Sequence, residues 1–221
     1  MKNTSIIPMF TAIAAILLFQ SFTSQLPETI SKETDRKETH TINMENMLAA
    51  YKGETTASAK YAAYSKKADE EGYPEIALLF KVASASEKIH ADNHKAVLGE
   101  SGQKVAVFNP EFTVLTTGEN LKDAIAGETY EITTMYPEFI TDANAAGNQF
   151  ALISLNYAYK TEQKHKPLYE KALAALESKN VSSLASEYYV CPTCGNTYEG
   201  SAPKRCGISM TGSEKFIQIA L

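Results

Sequence analysis

The chain contains 221 residues, carries a formal net charge of -5 and is 44% hydrophobic. This length is sufficient for one substantial core and a small additional module, but hardly for two full domains. Nucleic-acid binding needs a concentrated basic surface, and the sequence contains no such cluster, so we expect no nucleic-acid partner.

Residues 1–25 differ in composition from everything that follows. Lys2 precedes the apolar run IIPMFTAIAAILLF, which is too short to span a bilayer comfortably, and small polar residues follow at positions 21–24. This pattern predicts a secretory signal peptide or, as the alternative, an uncleaved N-terminal membrane anchor. We therefore expect an exported protein that is periplasmic or membrane-associated. Residues 26–42 are polar, charged and without apolar periodicity, which predicts a flexible spacer.

Residues 43–178 carry apolar side chains at helical spacing in four long stretches. Two short breaks, near Gly72 and Gly147, and one long break in the middle separate these stretches. Short outer links with a long middle connection are typical of ferritin-like bundles. The predicted fold class is an all-α ferritin-like four-helix bundle over residues 43–178, followed by a small metal-knuckle module over residues 179–221.

Several carboxylates and two histidines fall on the apolar faces of the predicted helices. A buried carboxylate without a partner costs several kcal/mol, so a cluster of them requires compensating positive charge. No lysine or arginine lies in the same register, and a pair of metal cations is the simplest way to supply that charge. The predicted inward-facing ligands are Glu54, Glu87, His90, Glu128, Glu131, Glu162 and His165.

The spacing of these residues supports a metal site independently. The motif Glu-x-x-His occurs twice, as EKIH from Glu87 and as EQKH from Glu162, and it places a carboxylate and an imidazole one turn apart. A helix with another inward glutamate precedes each motif, Glu54 before the first and Glu128 before the second. One such motif alone is usually a solvated helix face, but two hairpins in joint register match the di-iron carboxylate pattern of ferritin-like bundles.

The remaining acids and histidines near this pattern are less specific. Glu131 alone is equally compatible with a surface acid beside Glu128. His94 lies one turn beyond His90, and a His-x-x-x-His pair is one way to bind zinc. Because no other feature requires such a site, we interpret His94 as structural.

The C-terminal segment loses helical periodicity and contains the unit Cys-Pro-x-Cys-Gly, with ligand-spaced cysteines at Cys191 and Cys194. Such a unit forms a turn whose backbone N–H groups face the thiolates, as in metal knuckles. A module of this size depends on its metal because it cannot bury enough apolar surface. Cys206 follows, and Ser209 occupies the place of a fourth cysteine. A redox Cys-x-x-Cys is the alternative, although that motif usually begins a helix of an α/β domain.

Together these segments make the chain similar to the rubrerythrins, which combine a ferritin-like di-iron bundle with a rubredoxin-like module. The four ligand helices of that family resemble the segments AYKGETTASAKY, SEKIH, AGETYEITTMYP and TEQKH, and the resemblance covers nearly everything after the spacer. It implies that the seven inward residues bind two non-haem irons, and that Glu131 and His90 exchange places on one iron as the oxidation state changes. It also implies that Tyr61 and Tyr136 hydrogen-bond ligand carboxylates, although packing of core aromatics explains them equally well.

The resemblance further implies a function, which is reduction of hydrogen peroxide to water at a di-iron centre bridged by Glu87 and Glu162. The rubredoxin-like iron would return electrons, docked against a neighbouring subunit in a head-to-tail homodimer, with an unidentified protein as electron donor. Two other functions stay open. One is a ferroxidase or iron-sequestering bundle, and the other is a peroxide or metal sensor without turnover.

Ser209 departs from the family pattern, in which a cysteine is the fourth ligand of the rubredoxin-like site, and Gly207 replaces a usual proline. Three outcomes are open for this module. Ser209 binds the metal through oxygen, or water completes a site for iron, zinc or another metal, or the module is an empty remnant. We expect an altered but occupied site formed by Cys191, Cys194, Cys206 and Ser209.

Overall fold

The computed structural model describes residues 26–221, with side chains from Lys32 onward. The predicted signal peptide or anchor, residues 1–25, lies outside the described residues. Within the described part of the chain, no helix combines the length and apolar composition that a membrane span requires.

Four helical rods form the bundle, and the third rod is interrupted. A glycine with positive φ lies in each of the two short links, Gly72 (+83°) and Gly147 (+67°), where other residues would be strained. Residues 101–116 form the long middle connection. The predicted ferritin-like four-helix architecture is confirmed. The helices are α1 (Leu26–Glu70), α2 (Pro74–Glu100), α3 (Thr117–Tyr130), α4 (Tyr136–Ala145) and α5 (Gln149–Glu177).

The predicted spacer is the main difference from the sequence-based expectation. Residues 26–42 are helical and extend α1 toward the N-terminus, so the prediction of a flexible spacer is wrong. Side chains from Lys32 to Ile42 are mostly exposed, which explains their lack of apolar periodicity. A helix nucleated by packing further along propagates at little cost through residues such as Glu, Lys and Arg, which are good helix formers.

The third rod contains one turn of π-helix, Glu131–Met135, between α3 and α4. Pro137 lies just beyond it and has no backbone N–H, and its ring crowds the carbonyl of the preceding turn. A wider turn at this point relieves that conflict. Because π-turns inside α-helices are often found at functional sites, its position beside Glu128 is significant.

Two apolar clusters lie above and below a polar layer in the bundle. One cluster is centred on Phe80 and Tyr169, and the other on Leu155 and Tyr136. Along each rod the candidate ligands fall between the residues of the two clusters. Apolar packing on both sides therefore fixes the positions from which the ligands project.

The C-terminal segment forms a three-stranded antiparallel sheet of β1 (Glu187–Val190), β2 (Thr197–Glu199) and β3 (Ile217–Ala220), in the order β2-β1-β3. We call residues 187–221 the cysteine module. Tyr188 and Val190 of β1 are buried in the bundle's Phe80 cluster. The module thus packs against the bundle of its own chain, which differs from the predicted docking on a neighbouring subunit. The head-to-tail dimer itself stays a prediction.

Candidate metal centres

Six of the seven predicted bundle ligands converge in the polar layer. Each of these residues is at most 1% exposed, and their donor atoms fall into two overlapping groups within 4.8 Å. The first group is Glu54, Glu87, His90 and Glu162, and the second is Glu87, Glu128, Glu162 and His165.

Glu87 and Glu162 belong to both groups, and each faces both histidines. Oε1 of Glu162 lies 2.7 Å from Nδ1 of His90, and its Oε2 lies 2.7 Å from Nδ1 of His165. The two oxygens of Glu87 lie 3.1 Å from the same two nitrogens. Glu54 and Glu128 occupy opposite ends, at 3.6 Å from His90 and 4.0 Å from His165. This is the arrangement of two bridging and two terminal carboxylates.

The outer nitrogens of both histidines have hydrogen-bond partners, which determines the tautomers. Nε2 of His90 donates to the carbonyl of Cys194 at 3.0 Å, since a carbonyl only accepts. Thr197 donates its hydroxyl to the carbonyl of Gly195, so its oxygen accepts from Nε2 of His165 at 3.1 Å. Both Nδ1 atoms therefore present lone pairs to the carboxylates, as metal-binding histidines do.

The ligand atoms at the centre of the cluster lack hydrogen-bond partners, as expected if they bind metal ions. Buried oxygens of Glu54, Glu87, Glu128 and Glu162 and both Nδ1 atoms have no hydrogen bond within the described part of the chain. Buried polar atoms are rarely unsatisfied, and so many in one layer is explained by cations. Carboxylate oxygen and imidazole nitrogen in this ratio suit two iron ions.

The pKa values of the side chains also indicate that the cluster requires positive charge. Burial raises the pKa of Glu54 to about 7, and it raises the pKa of Glu128 well above its usual range. Burial opposes a charged imidazole, but Glu87 and Glu162 raise the pKa of His165 to about 10. Protons would thus offset the carboxylates where no cation does, and a bound metal must displace them.

Glu131, the seventh predicted ligand, lies outside both groups. It is the first residue of the π-turn and is partly exposed. Burial, followed by the charges of Glu54 and Glu162, raises its pKa well above the usual range, so its carboxyl group is close enough to interact with the cluster. The structure therefore shows the arrangement in which His90, and not Glu131, faces the cluster.

The two predicted tyrosines both contact terminal carboxylates. The hydroxyl of Tyr61 donates to Oε1 of Glu128 at 3.1 Å, and that of Tyr136 donates to Oε1 of Glu54. Each bond fixes one oxygen of a terminal glutamate, while the other oxygen, Oε2, is buried and has no hydrogen bond. These tyrosines orient ligands in addition to packing in the core.

The second site lies in the cysteine module. Cys191, Cys194 and Cys206 are fully buried, form no disulfide and place their sulfurs within 4.8 Å of one another. The Ser209 hydroxyl lies 3.2 Å from the sulfur of Cys191. Three thiols and one hydroxyl thus surround a common point, which fits a four-coordinate metal ion.

The two turns that carry these ligands have the same backbone geometry. Gly195 N–H donates to the carbonyl of Cys191 at 2.9 Å, and Met210 N–H donates to that of Cys206 at 3.0 Å. Gly195 and Met210 both have positive φ, +77° and +62°. Ser209 therefore occupies in the second turn the position that Cys194 occupies in the first.

The two sites are in direct contact. Besides the bond from His90, the carbonyl of Cys194 accepts from the hydroxyl of Thr161 at 3.2 Å, and the Ser86 hydroxyl donates to Gly195 at 2.8 Å. A Cβ atom on Gly195 would lie 2.4 Å from Nε2 of His90. Only glycine permits this approach.

The sequence analysis did not identify the residues whose hydrogen bonds support the ligand histidines and the adjoining module backbone. Ser86, Thr161 and Thr197 are ordinary helix and strand residues, and nothing in their spacing marks them. His94 had a detectable position one turn after His90, but its role depends on contacts between helices.

The fold and the sites define a ferritin-like bundle with a two-metal carboxylate–histidine centre and an attached cysteine site. The Rubrerythrin family model matches residues 45–173. Rubrerythrin-2 of Clostridium acetobutylicum is 34% identical over 172 residues, covering 77% of this chain and 92% of that protein. Nigerythrin of Nitratidesulfovibrio vulgaris is 33% identical over 176 residues, covering 78% and 84%. A solved structure of nigerythrin in a mixed-valent state has a TM-score of 0.73 at 31% identity, covering 80% of this chain and 86% of that one.

The chain belongs to the rubrerythrin family. Its donor sets match the cofactors expected from that membership. The bundle provides the ligand set for the two non-haem iron ions of this family, and the cysteine module provides the ligand set for a further metal ion.

Proposed function

We propose that this protein is a di-iron peroxidase that reduces hydrogen peroxide to water. The observation that carries the proposal is that Glu87 and Glu162 each face both histidines with oxygens that have no other partner. When bound, the two irons supply the two electrons that cleavage of one O–O bond requires. The balanced reaction consumes one peroxide, two electrons and two protons and gives two waters.

The side chains perform the remaining tasks. Glu87 and Glu162 would each supply ligands to both cations, while Tyr136 and Tyr61 keep the terminal carboxylates oriented. The apolar clusters on both sides of the layer exclude bulk water from the ligands.

We further propose that the cysteine module is rubredoxin-like and returns electrons to the bundle. The His90 ring contacts the carbonyl of Cys194, and Cys194 is itself a candidate ligand of the cysteine site. One hydrogen bond therefore separates the ligand sets of the two sites. An external protein of unidentified structure would supply the electrons, two for each peroxide.

The experiment that tests the peroxidase proposal uses the full chain loaded anaerobically with iron. Peroxide is added to the reduced protein in single and multiple turnovers, and iron release and peroxide loss are measured together. We expect repeated peroxide consumption with the iron retained. Stoichiometric release of Fe(III) would instead indicate an iron-sequestering bundle. Oxidation by peroxide without turnover under any small reductant would indicate a sensor.

A further inference from the structure

His94 connects the bundle centre with the protein surface. It is fully buried, and both of its ring nitrogens have partners. Nδ1 lies 2.8 Å from the hydroxyl of Ser154, and Nε2 lies 3.3 Å from the hydroxyl of Tyr136. Tyr136 in turn contacts Glu54, so four side chains form a continuous hydrogen-bonded row.

The Glu54 carboxylate, at the inner end of the row, determines the direction of its hydrogen bonds. A carboxylate that binds a metal only accepts, so Tyr136 donates its hydroxyl proton to Oε1 of Glu54. The Tyr136 oxygen then accepts from Nε2–H of His94. Nδ1 of the neutral ring is left bare and accepts from the Ser154 hydroxyl. Every donor therefore points toward Glu54.

His94 is neutral, as such a row requires. Burial, and then the neighbouring His90, lower its pKa to about 3, although Glu162 opposes this. A neutral imidazole has one N–H group and one lone pair, so it can accept a proton on one nitrogen while it gives one from the other.

The outer end of the row reaches the surface. Ser154 is 5% exposed and lines a surface pocket together with Asn93, Glu100 and Phe150. Water in such a pocket can replace the proton that Ser154 gives up.

We propose that Ser154, His94 and Tyr136 form a proton relay from this pocket to Oε1 of Glu54. Ser154 passes its proton to Nδ1 of His94, Nε2 passes its proton to Tyr136, and Tyr136 passes its proton to Glu54. Solvent replaces the proton on Ser154, so one proton moves inward and no relay member keeps a charge. The relay rests on the proposed function, since peroxide reduction consumes two protons.

The opposite end of the centre provides an internal comparison. Tyr61 donates to Glu128 as Tyr136 donates to Glu54. The ring of Tyr61, however, packs against the aromatic rings of Tyr64, Phe80 and Tyr169. Both ends of the centre thus hold a glutamate through a tyrosine, and at the Glu54 end that tyrosine is also hydrogen-bonded to a histidine.

The first test examines the tautomer of His94 by ¹⁵N NMR of the full chain loaded with diamagnetic Zn²⁺ in place of iron, which keeps Glu54 a metal-bound carboxylate and needs no peroxide activity. We expect a proton on Nε2 and a bare Nδ1 whose resonance shifts in Ser154→Ala. A proton on Nδ1, or a charged ring, would overturn the proposal. This measurement tests the relay even if the wild type shows no peroxide turnover. Absence of turnover would contradict only the proposed function.

The second test uses iron-loaded wild type, His94→Gln and Ser154→Ala. A glutamine can keep both hydrogen bonds, but an amide does not exchange protons as an imidazole does. We expect His94→Gln to retain its iron and to lose on the order of 100-fold in peroxide turnover, the lower range for positioned proton transfer. The solvent isotope effect should change in both His94→Gln and Ser154→Ala.

Equal turnover and an equal isotope effect in wild type and His94→Gln would refute the relay. Loss of iron from both His94→Gln and Ser154→Ala would also refute it, because the row would then serve only to hold Glu54. Ser154 contacts none of the ligands in the structure, so we expect Ser154→Ala to retain its iron. If His94→Gln folds poorly, the isotope effect in Ser154→Ala alone tests the relay.

Discussion

The bundle centre and the cysteine site hold metal in different ways. The bundle ligands come from separate helices and are fixed by apolar clusters on both sides of the layer. The cysteine ligands come from two short turns of one segment, next to a sheet of three short strands. Apolar packing defines the first site before any metal binds, whereas a small module depends on its metal for folding.

This difference predicts opposite results when one ligand is removed from each site. Glu162→Ala should abolish iron binding in the bundle, because Glu162 contacts both histidines, while the helices stay folded and the cysteine site stays loaded. Cys206→Ala should empty the cysteine site and disorder the strands around it, and the bundle should keep its two irons but bind them more weakly, because His90 and His165 lose their contacts with Cys194 and Thr197. Metal analysis and circular dichroism measure these outcomes. If either variant loses all its metal, the two sites are not independent.

The contact between the sites can be broken at Gly195, with Gly200 as matched control. Both glycines have positive φ, +77° and +70°, so alanine strains the backbone at either position by about 1–2 kcal/mol. Only at Gly195 would the new methyl group also clash with His90, since space around Gly200 is open. We expect Gly195→Ala to weaken iron binding in the bundle by about 10- to 100-fold, as loss of a supporting contact does.

Iron affinity of the two alanine variants is measured by competition with a chelator, and re-reduction of the oxidised bundle by stopped flow. Gly200→Ala should match wild type in both. Equal affinities and equal re-reduction rates in Gly195→Ala and Gly200→Ala would show that the module's approach to His90 has no role in either property.

Ser209 tests the cysteine site by itself. Sulfur is a softer ligand than a hydroxyl oxygen, so Ser209→Cys should tighten iron binding there by at least about tenfold and should shift the charge-transfer absorption to longer wavelength. Ser209→Ala, which removes the oxygen without adding sulfur, should bind more weakly than wild type. If Ser209→Ala and wild type bind iron equally, Ser209 is not a ligand.

The sequence was sufficient for the helices and for most of the bundle centre, because burial and the 3.6-residue period place Glu54, Glu87 and Glu162 on inward faces. It did not reveal that α1 extends through residues 26–42, since an exposed helical extension has no apolar pattern. The π-turn at Glu131 was also missed, and Pro137 is its only local indication.

Contacts between distant segments were beyond the reach of sequence patterns. The row from Ser154 through His94 to Glu54 joins helices α5, α2 and α1, with Tyr136 of α4 between them. The close approach of Gly195 to His90 depends on how the cysteine module packs. Spacing along one helix carries no information about such pairs.

The smallest predicted effect concerns Met210, which takes in the second cysteine turn the place that Gly195 has in the first. Met210 has a φ of +62°, a conformation that is unfavourable for a residue with a side chain, and its side chain is largely exposed. Met210→Gly should therefore stabilise the module by up to about 1 kcal/mol, the relieved strain being partly offset by the greater chain entropy of glycine when unfolded. Retention of the module's metal at increasing urea concentration measures this stabilisation.

Lys179→Gly is the matched control, because Lys179 has a φ of +56° but follows α5, outside the module. It should raise the free energy of unfolding of the bundle without changing metal retention in the module. A Met210→Gly variant that loses its metal at lower urea than wild type would contradict the equivalence of the two turns.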